Sequence, residues 1–95
     1  MAVRVFVKRS VSDDKIDAVR AYIDKLRNMT TGQPGYISGE TLRRIDRSGQ
    51  ILVISKWKTR DDWQNWFGSA QRTNIQQEID ELLGVETTYE IYDFD

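Results

Sequence analysis

Apolar and polar positions alternate from the start of the chain, where Val3, Val5 and Val7 interleave with Arg4, Phe6 and Lys8. A period of two marks a β-strand, and Phe6 on the second face implies that both faces meet something. Ser12 followed by Asp13 and Asp14 reads as a helix N-cap with acids suited to the positive helix end. Ile16, Val19, Ile23 and Leu26 then recur at helical spacing, predicting a helix to about Met29. The stretch TTGQPG, with the only proline, breaks it. A second alternation runs from Tyr36 to Ile45, and Asp46 to Gly49 turn the chain. Ile51, Val53, Ser55 and Trp57 form one face of a third strand, with Leu52 and Ile54 on the other. Thr59 with Asp62 approximates a capping box, and Trp63, Phe67 and Ala70 stack on one side of the helix that follows, with Trp66 beside them. Gly68-Ser69 is placed to break or kink that helix. Its continuation carries Ile75, Ile79, Leu82 and Leu83, and Gly84 is the expected C-terminal cap. Val85, Thr87, Tyr89 and Ile91 alternate in a last strand, with Tyr92 and Phe94 on its other face.

The order β-α-β-β-α-β predicts an α+β fold of ferredoxin-like type, one antiparallel sheet with its helices on one face, as a single domain over residues 1–95. Two helices cover only one face of such a sheet. Phe6, Leu52 or Ile54, Tyr92 and Phe94 leave the other face substantially apolar, so a homodimer through the sheet face is expected.

Composition narrows the chemistry. Cysteine and histidine are both absent, which excludes disulfides, zinc–thiolate and iron–sulfur sites, thiol nucleophiles and the usual general base and haem ligand. No Asp-rich calcium loop is present, so no metal is expected. The formal net charge of −1 gives no bulk attraction to nucleic acid or membrane. The first ten residues hold too short an apolar run for a signal peptide and no stretch is long enough to span a bilayer, so a cytoplasmic location is expected. Arg43, Arg44, Arg47, Lys56, Lys58 and Arg60 cluster on one hairpin and its exit, but QILVISKW lacks the aromatic spacing of an RNA-binding sheet. A solvated, salt-bridged face is the expected role, and no nucleic-acid partner.

All three tryptophans fall between residues 57 and 66. Rings of that size serve well as core filler in a small domain, and Trp57 and Trp63 read first in that way. Trp66, at the edge of the apolar arc beside Asn65, suits a cleft wall equally. The stretch PGYISGETLRRIDRSGQILVISKWKTRDDWQNW resembles the antibiotic biosynthesis monooxygenase domain: Pro-Gly-aromatic opens the second strand, an apolar third strand ends in Trp, and a Trp-bearing helix follows. The likeness covers essentially the whole chain. It implies a dimeric α+β barrel with a pocket between helices and sheet, in a family that includes oxygenases of polycyclic phenols that use neither metal nor flavin, quinol oxygenases and haem-degrading enzymes. The haem-degrading branch resembles this chain around WKTRDDWQNW, with a functional tryptophan at the position of Trp66. Where those proteins carry the axial histidine this chain has Gln76, and no asparagine precedes Asn28, so haem degradation is disfavoured.

The implied activity is a monooxygenase that uses dioxygen, no bound cofactor and a small aromatic, phenolic or quinol-like substrate, which supplies the electrons itself. The protein's part is then to orient the substrate, desolvate it and stabilise its anion. Trp66 and Trp63 can stack on the ring, and Arg72, Asn65, Gln76 and Tyr36 can hydrogen-bond; no catalytic residue is assigned. Each polar candidate has an ordinary alternative: Arg72 as a solvated residue pairing with Asp80 or Glu81, Asn65 and Gln76 as exposed helix polars, Tyr36 as a strand aromatic. A non-catalytic small-molecule binder and a structural dimerisation module are the competing readings.

Overall fold

In the computed structural model, which describes residues 2–94, four strands form one antiparallel sheet in the order β2-β3-β1-β4. The strands are β1 (Val3–Ser10), β2 (Tyr36–Arg43), β3 (Gln50–Trp57) and β4 (Thr88–Tyr92). Three helices, α1 (Ile16–Thr30), α2 (Arg60–Phe67) and α3 (Ala70–Leu83), lie on one face. This is the expected ferredoxin-like α+β arrangement, with the second helix divided in two.

Register sorts the side chains as the alternation requires. Val5 pairs with Ser55 and Ile91, and Val7 with Val53 and Tyr89, so these residues share the helix-facing side. They meet Val19, Ile23 and Leu26 of α1, Trp63 and Trp66 of α2, and Ile75, Ile79 and Leu83 of α3 in one core. Trp57 is 0% exposed at its centre, and its indole N–H donates to Ser55 Oγ at 2.9 Å. That bond is what a buried indole needs, since an unpaired donor there would cost about 1–3 kcal/mol. Around Trp57 the rings run edge to face, Tyr36 to Trp57 at 5.4 Å between centroids and Trp57 to Trp63 at 5.8 Å, and Trp63 lies tilted against Tyr89 at 6.3 Å.

Gly68 and Ser69 end one helix and begin another. Gly68 donates to Gln64 O at 3.0 Å to finish α2, and Ser69 Oγ accepts the Arg72 amide at 3.3 Å as the N-cap of α3. Thr59 caps α2, its Oγ1 accepting from the Asp62 amide at 3.1 Å while donating to the Asp62 carboxylate at 2.9 Å. The carboxylate thus meets the Thr59 hydroxyl, a variation on the expected capping box. Gly84 adopts φ 70° and donates to Asp80 O at 2.9 Å, the left-handed cap expected of it.

Three boundaries differ from expectation. Ser12 leads into a short 3-10 turn (Asp13–Lys15) with no side-chain cap bond, and α1 begins only at Ile16. β2 stops at Arg43, leaving Ile45 90% exposed in the connection. β4 starts at Thr88, with Val85 exposed before it. In both strands the alternation continues past the last residue that has a partner strand to bond.

On the uncovered face, Phe6 pairs across with Ile54, and Arg4 pairs with Tyr92. Phe6 and Tyr92 pack edge to face at 4.9 Å, and Phe94 takes the Arg4 guanidinium at 5.7 Å. Leu42, Tyr92 and Phe94 are exposed there. Lys8 and Glu90 add an ion pair at 3.0 Å, whose lysine hydrogen bond holds the exposed Glu90 carboxyl below its ordinary pKa.

Candidate functional site

A cleft opens between the helices and the covered sheet face. Its cavity volume is about 70 Å³, small beside the roughly 300–1,000 Å³ of small-molecule sites. Val7, Val53 and Ser55 contribute from the sheet, Ile23 and Leu26 from α1, Trp63 and Trp66 from α2. Tyr36 and Gly39 line it from the edge strand β2. A Cβ on Gly39 would come within 2.6 Å of the Tyr36 hydroxyl, so the bare glycine makes room for that phenol. Arg27 reaches over from α1 to donate to Gly39 O at 3.4 Å.

The buried charges of the cleft are cationic, while its acidic lining residue, Glu40, is exposed. Among the described residues the buried charged side chains are Arg9, 4% exposed, and Arg72, 7% exposed, and both line the cleft. Arg9 Nη2 donates to Gln76 Oε1 at 2.7 Å. Gln76 Nε2 donates in turn to Asp80 Oδ1 at 2.8 Å and Thr87 Oγ1 at 2.9 Å. Arg9 Nε is buried without a hydrogen-bond partner. Arg72 lies over the rings of Phe67 and Tyr89, at 4.4 and 5.1 Å from their centroids. Its Nη1 donates to Phe67 O at 3.2 Å and its Nη2 to the Tyr89 hydroxyl oxygen. Burial pulls the Arg9 pKa down to about 10; nearby Arg72 adds to this, while Tyr89 and Asp80 oppose it. Burial also pushes the Tyr89 phenol up, against the pull of Arg72 and Arg9.

Of the residues singled out in the sequence, the structure brings Trp63, Trp66, Tyr36 and Arg72 together around one cleft. Gln76 is buried behind it as the partner of Arg9. Asn65 is exposed on α2 and lies outside the lining. Arg72 is not the solvated helix residue of its ordinary alternative; it turns inward to Tyr89 and Phe67. Arg9 was not singled out as a site residue, and Tyr89 read first as a strand aromatic and only second as a hydrogen-bonding pocket group. The signal for Arg9 was present: it extends the alternation of Val3, Val5 and Val7 by one step onto the buried face. Among the described residues no three His, Cys, Asp or Glu side chains gather to hold a metal ion, and no helix is long and apolar enough to cross a membrane.

The family profile described as antibiotic biosynthesis monooxygenase matches residues 2–78. No curated protein is significantly similar in sequence. Among solved structures, the chain is similar to a conserved protein from Methanosarcina mazei Go1, with a TM-score of 0.88, 22% identity, and 97% of this chain and 91% of that chain covered. It is similar to Rv0793 from Mycobacterium tuberculosis, with a TM-score of 0.86, 20% identity, and coverage of 98% and 94%. It is also similar to a mutant of SnoaB, a cofactor-independent oxygenase from Streptomyces nogalater, with a TM-score of 0.85, 13% identity, and coverage of 98% and 92%. At these identities the likeness shows a shared fold.

Proposed function

Because the chain belongs to the antibiotic biosynthesis monooxygenase family, we propose that it is a cofactor-independent oxygenase of a small phenolic or quinol-like substrate. The observation that carries this reading is the placing of Trp63, Trp66, Tyr36 and Arg72 around one cleft between helices and sheet. SnoaB, described as a cofactor-independent oxygenase, shares the fold. In such a reaction the substrate reduces dioxygen. A ring C–H carbon para to a phenol becomes a carbonyl, one oxygen atom enters it, and the other leaves as water with the ring and phenol hydrogens. The protein needs to hold the ring flat against Trp66, keep water away and stabilise the phenolate with Arg72.

Oxygen-electrode assays with naphthols, anthrones and hydroquinones test this. Turnover is expected for at least one class, with Trp66→Phe and Arg72→Ala each lowering kcat/KM by roughly tenfold or more, about 1.4 kcal/mol of transition-state stabilisation. Saturable binding with no oxygen consumed would favour the second reading, a non-catalytic small-molecule binder. One observation favours that alternative: no buried carboxylate stands among the described cleft residues to serve as a general base.

The reading extends to assembly and location. Two copies pair through the uncovered sheet face carrying Phe6, Ile54 and Tyr92, and the protein works in the cytoplasm.

A further inference from the structure

The buried charge of the described residues is all of one sign. Arg9 and Arg72 carry it, and the ion pairs present, Lys8 with Glu90 and Arg44 with Asp46, lie elsewhere. Asp80, which reaches Arg9 only through Gln76, is itself exposed. A buried cation without a counter-charge is costly, and a chain gains nothing in stability by holding two beside one cleft. An anion that enters the cleft removes that cost.

The donors left over define the anion. Arg9 lines the cleft with its Nη2 used by Gln76 and its Nε buried without a partner. Tyr89 accepts from Arg72 through its oxygen, so its own O–H remains free to donate. Two guanidinium groups and a phenol hydroxyl lining one cleft suit the oxygens of a carboxylate. An aromatic body attached to it has Trp63 and Trp66 as its walls. We propose that Arg9, Arg72 and Tyr89 form a binding site for the carboxylate of an aromatic acid, so that the ligand of this cleft is an organic anion and not a neutral phenol. The proposal rests on reading the cleft as the substrate site and names the class of substrate it takes.

Calorimetric titration at fixed ionic strength tests it, with hydroxynaphthoate, the naphthol of the same ring, and sodium sulfate as probes. Hydroxynaphthoate is expected to bind the wild type at least about tenfold more tightly than naphthol, as a charge-assisted pair in a desolvated site should. In Arg9→Met that preference should fall to within about twofold. Equal affinity for acid and phenol in the wild type overturns the proposal, as does a preference that survives in folded Arg9→Met. Sulfate that binds as tightly as hydroxynaphthoate and displaces it overturns the assignment in favour of a free inorganic oxyanion. If circular dichroism shows Arg9→Met unfolded, Arg72→Met carries the same test, and the wild-type comparison needs no variant. Tight acid binding without oxygen uptake removes the oxygenase reading and leaves this one. Oxygen uptake on neutral phenols, unchanged in Arg9→Met, does the reverse.

Discussion

Tyr89 is the residue on which the cleft's electrostatics converge, since it bonds Arg72 and feels Arg9. Its phenol is held neutral to a higher pH in the fold than in the open chain, where it ionises near pH 10. The raised folded value means that Tyr89 contributes stability fully below pH 10, and that this contribution falls as pH rises through the folded pKa. Denaturant titrations of wild type and Tyr89→Phe from pH 9 to 11 check this. The wild type should lead by about 1.5–3 kcal/mol at pH 9, the worth of a hydrogen bond to a charged group. That lead should shrink as pH passes 10, and a constant lead would show that the phenol titrates alike in both states. Reading such residues from sequence depends on whether their phase is visible. Trp63, Trp66 and Tyr36 stood out because apolar period and ring size mark them. Arg72 and Gln76 were candidates that also read as solvated helix polars, because the phase of α2 is lost at Gly68. Within α3 alone they fall on the stripe of Ile75, Ile79 and Leu83, and that stripe was the available signal. Arg9 was hidden because a charge at a strand end reads as solvated.

At the scale of elements, a few backbone contacts decide where helices meet strands. Gly35, at φ 83°, opens β2 and accepts the Lys58 amide at 2.8 Å, which ties the start of β2 to the residues before α2. A Cβ there would run into the Asp62 carboxylate and lie 2.5 Å from the Asp62 Cβ, in a backbone region side chains rarely adopt. Gly35→Ala should therefore destabilise by at least about 2 kcal/mol, within the cost of such strain, read as a lower urea midpoint with unchanged slope. A loss under about 0.5 kcal/mol would show that Asp62 and the turn yield easily. Element types and their order followed from the alternation and the caps. Their ends at Ile45 and Val85 did not, because an alternating pattern says which face a residue takes and not whether a neighbouring strand extends far enough to bond it.

For the whole molecule the sheet has two unlike faces. One is covered by three helices; the other presents Phe6, Ile54, Leu42 and Tyr92 among Arg4, Lys8 and Glu90. Sedimentation at micromolar concentration is expected to give a dimer mass, and Ile54→Asp a monomer that keeps its helical circular dichroism, because a charge at the centre of an apolar contact is left unpaired. A monomer mass for the wild type would overturn the sheet-to-sheet pairing. The expectation of a dimer comes from the sequence because strand alternation shows both faces of a sheet at once, whereas the cleft's cations required the packed helices. The ring series from Tyr36 through Trp57 and Trp63 to Tyr89 joins β2, β3, α2 and β4 at centroid spacings of 5.4 to 6.3 Å. Indoles so close share their excited states, so Trp57 and Trp63 absorb and emit as a coupled pair whose circular dichroism couplet depends on their mutual angle. The protein carries in that couplet an optical gauge of its own side-chain order, one that fades when the packing loosens even while the backbone signal of helix and sheet persists.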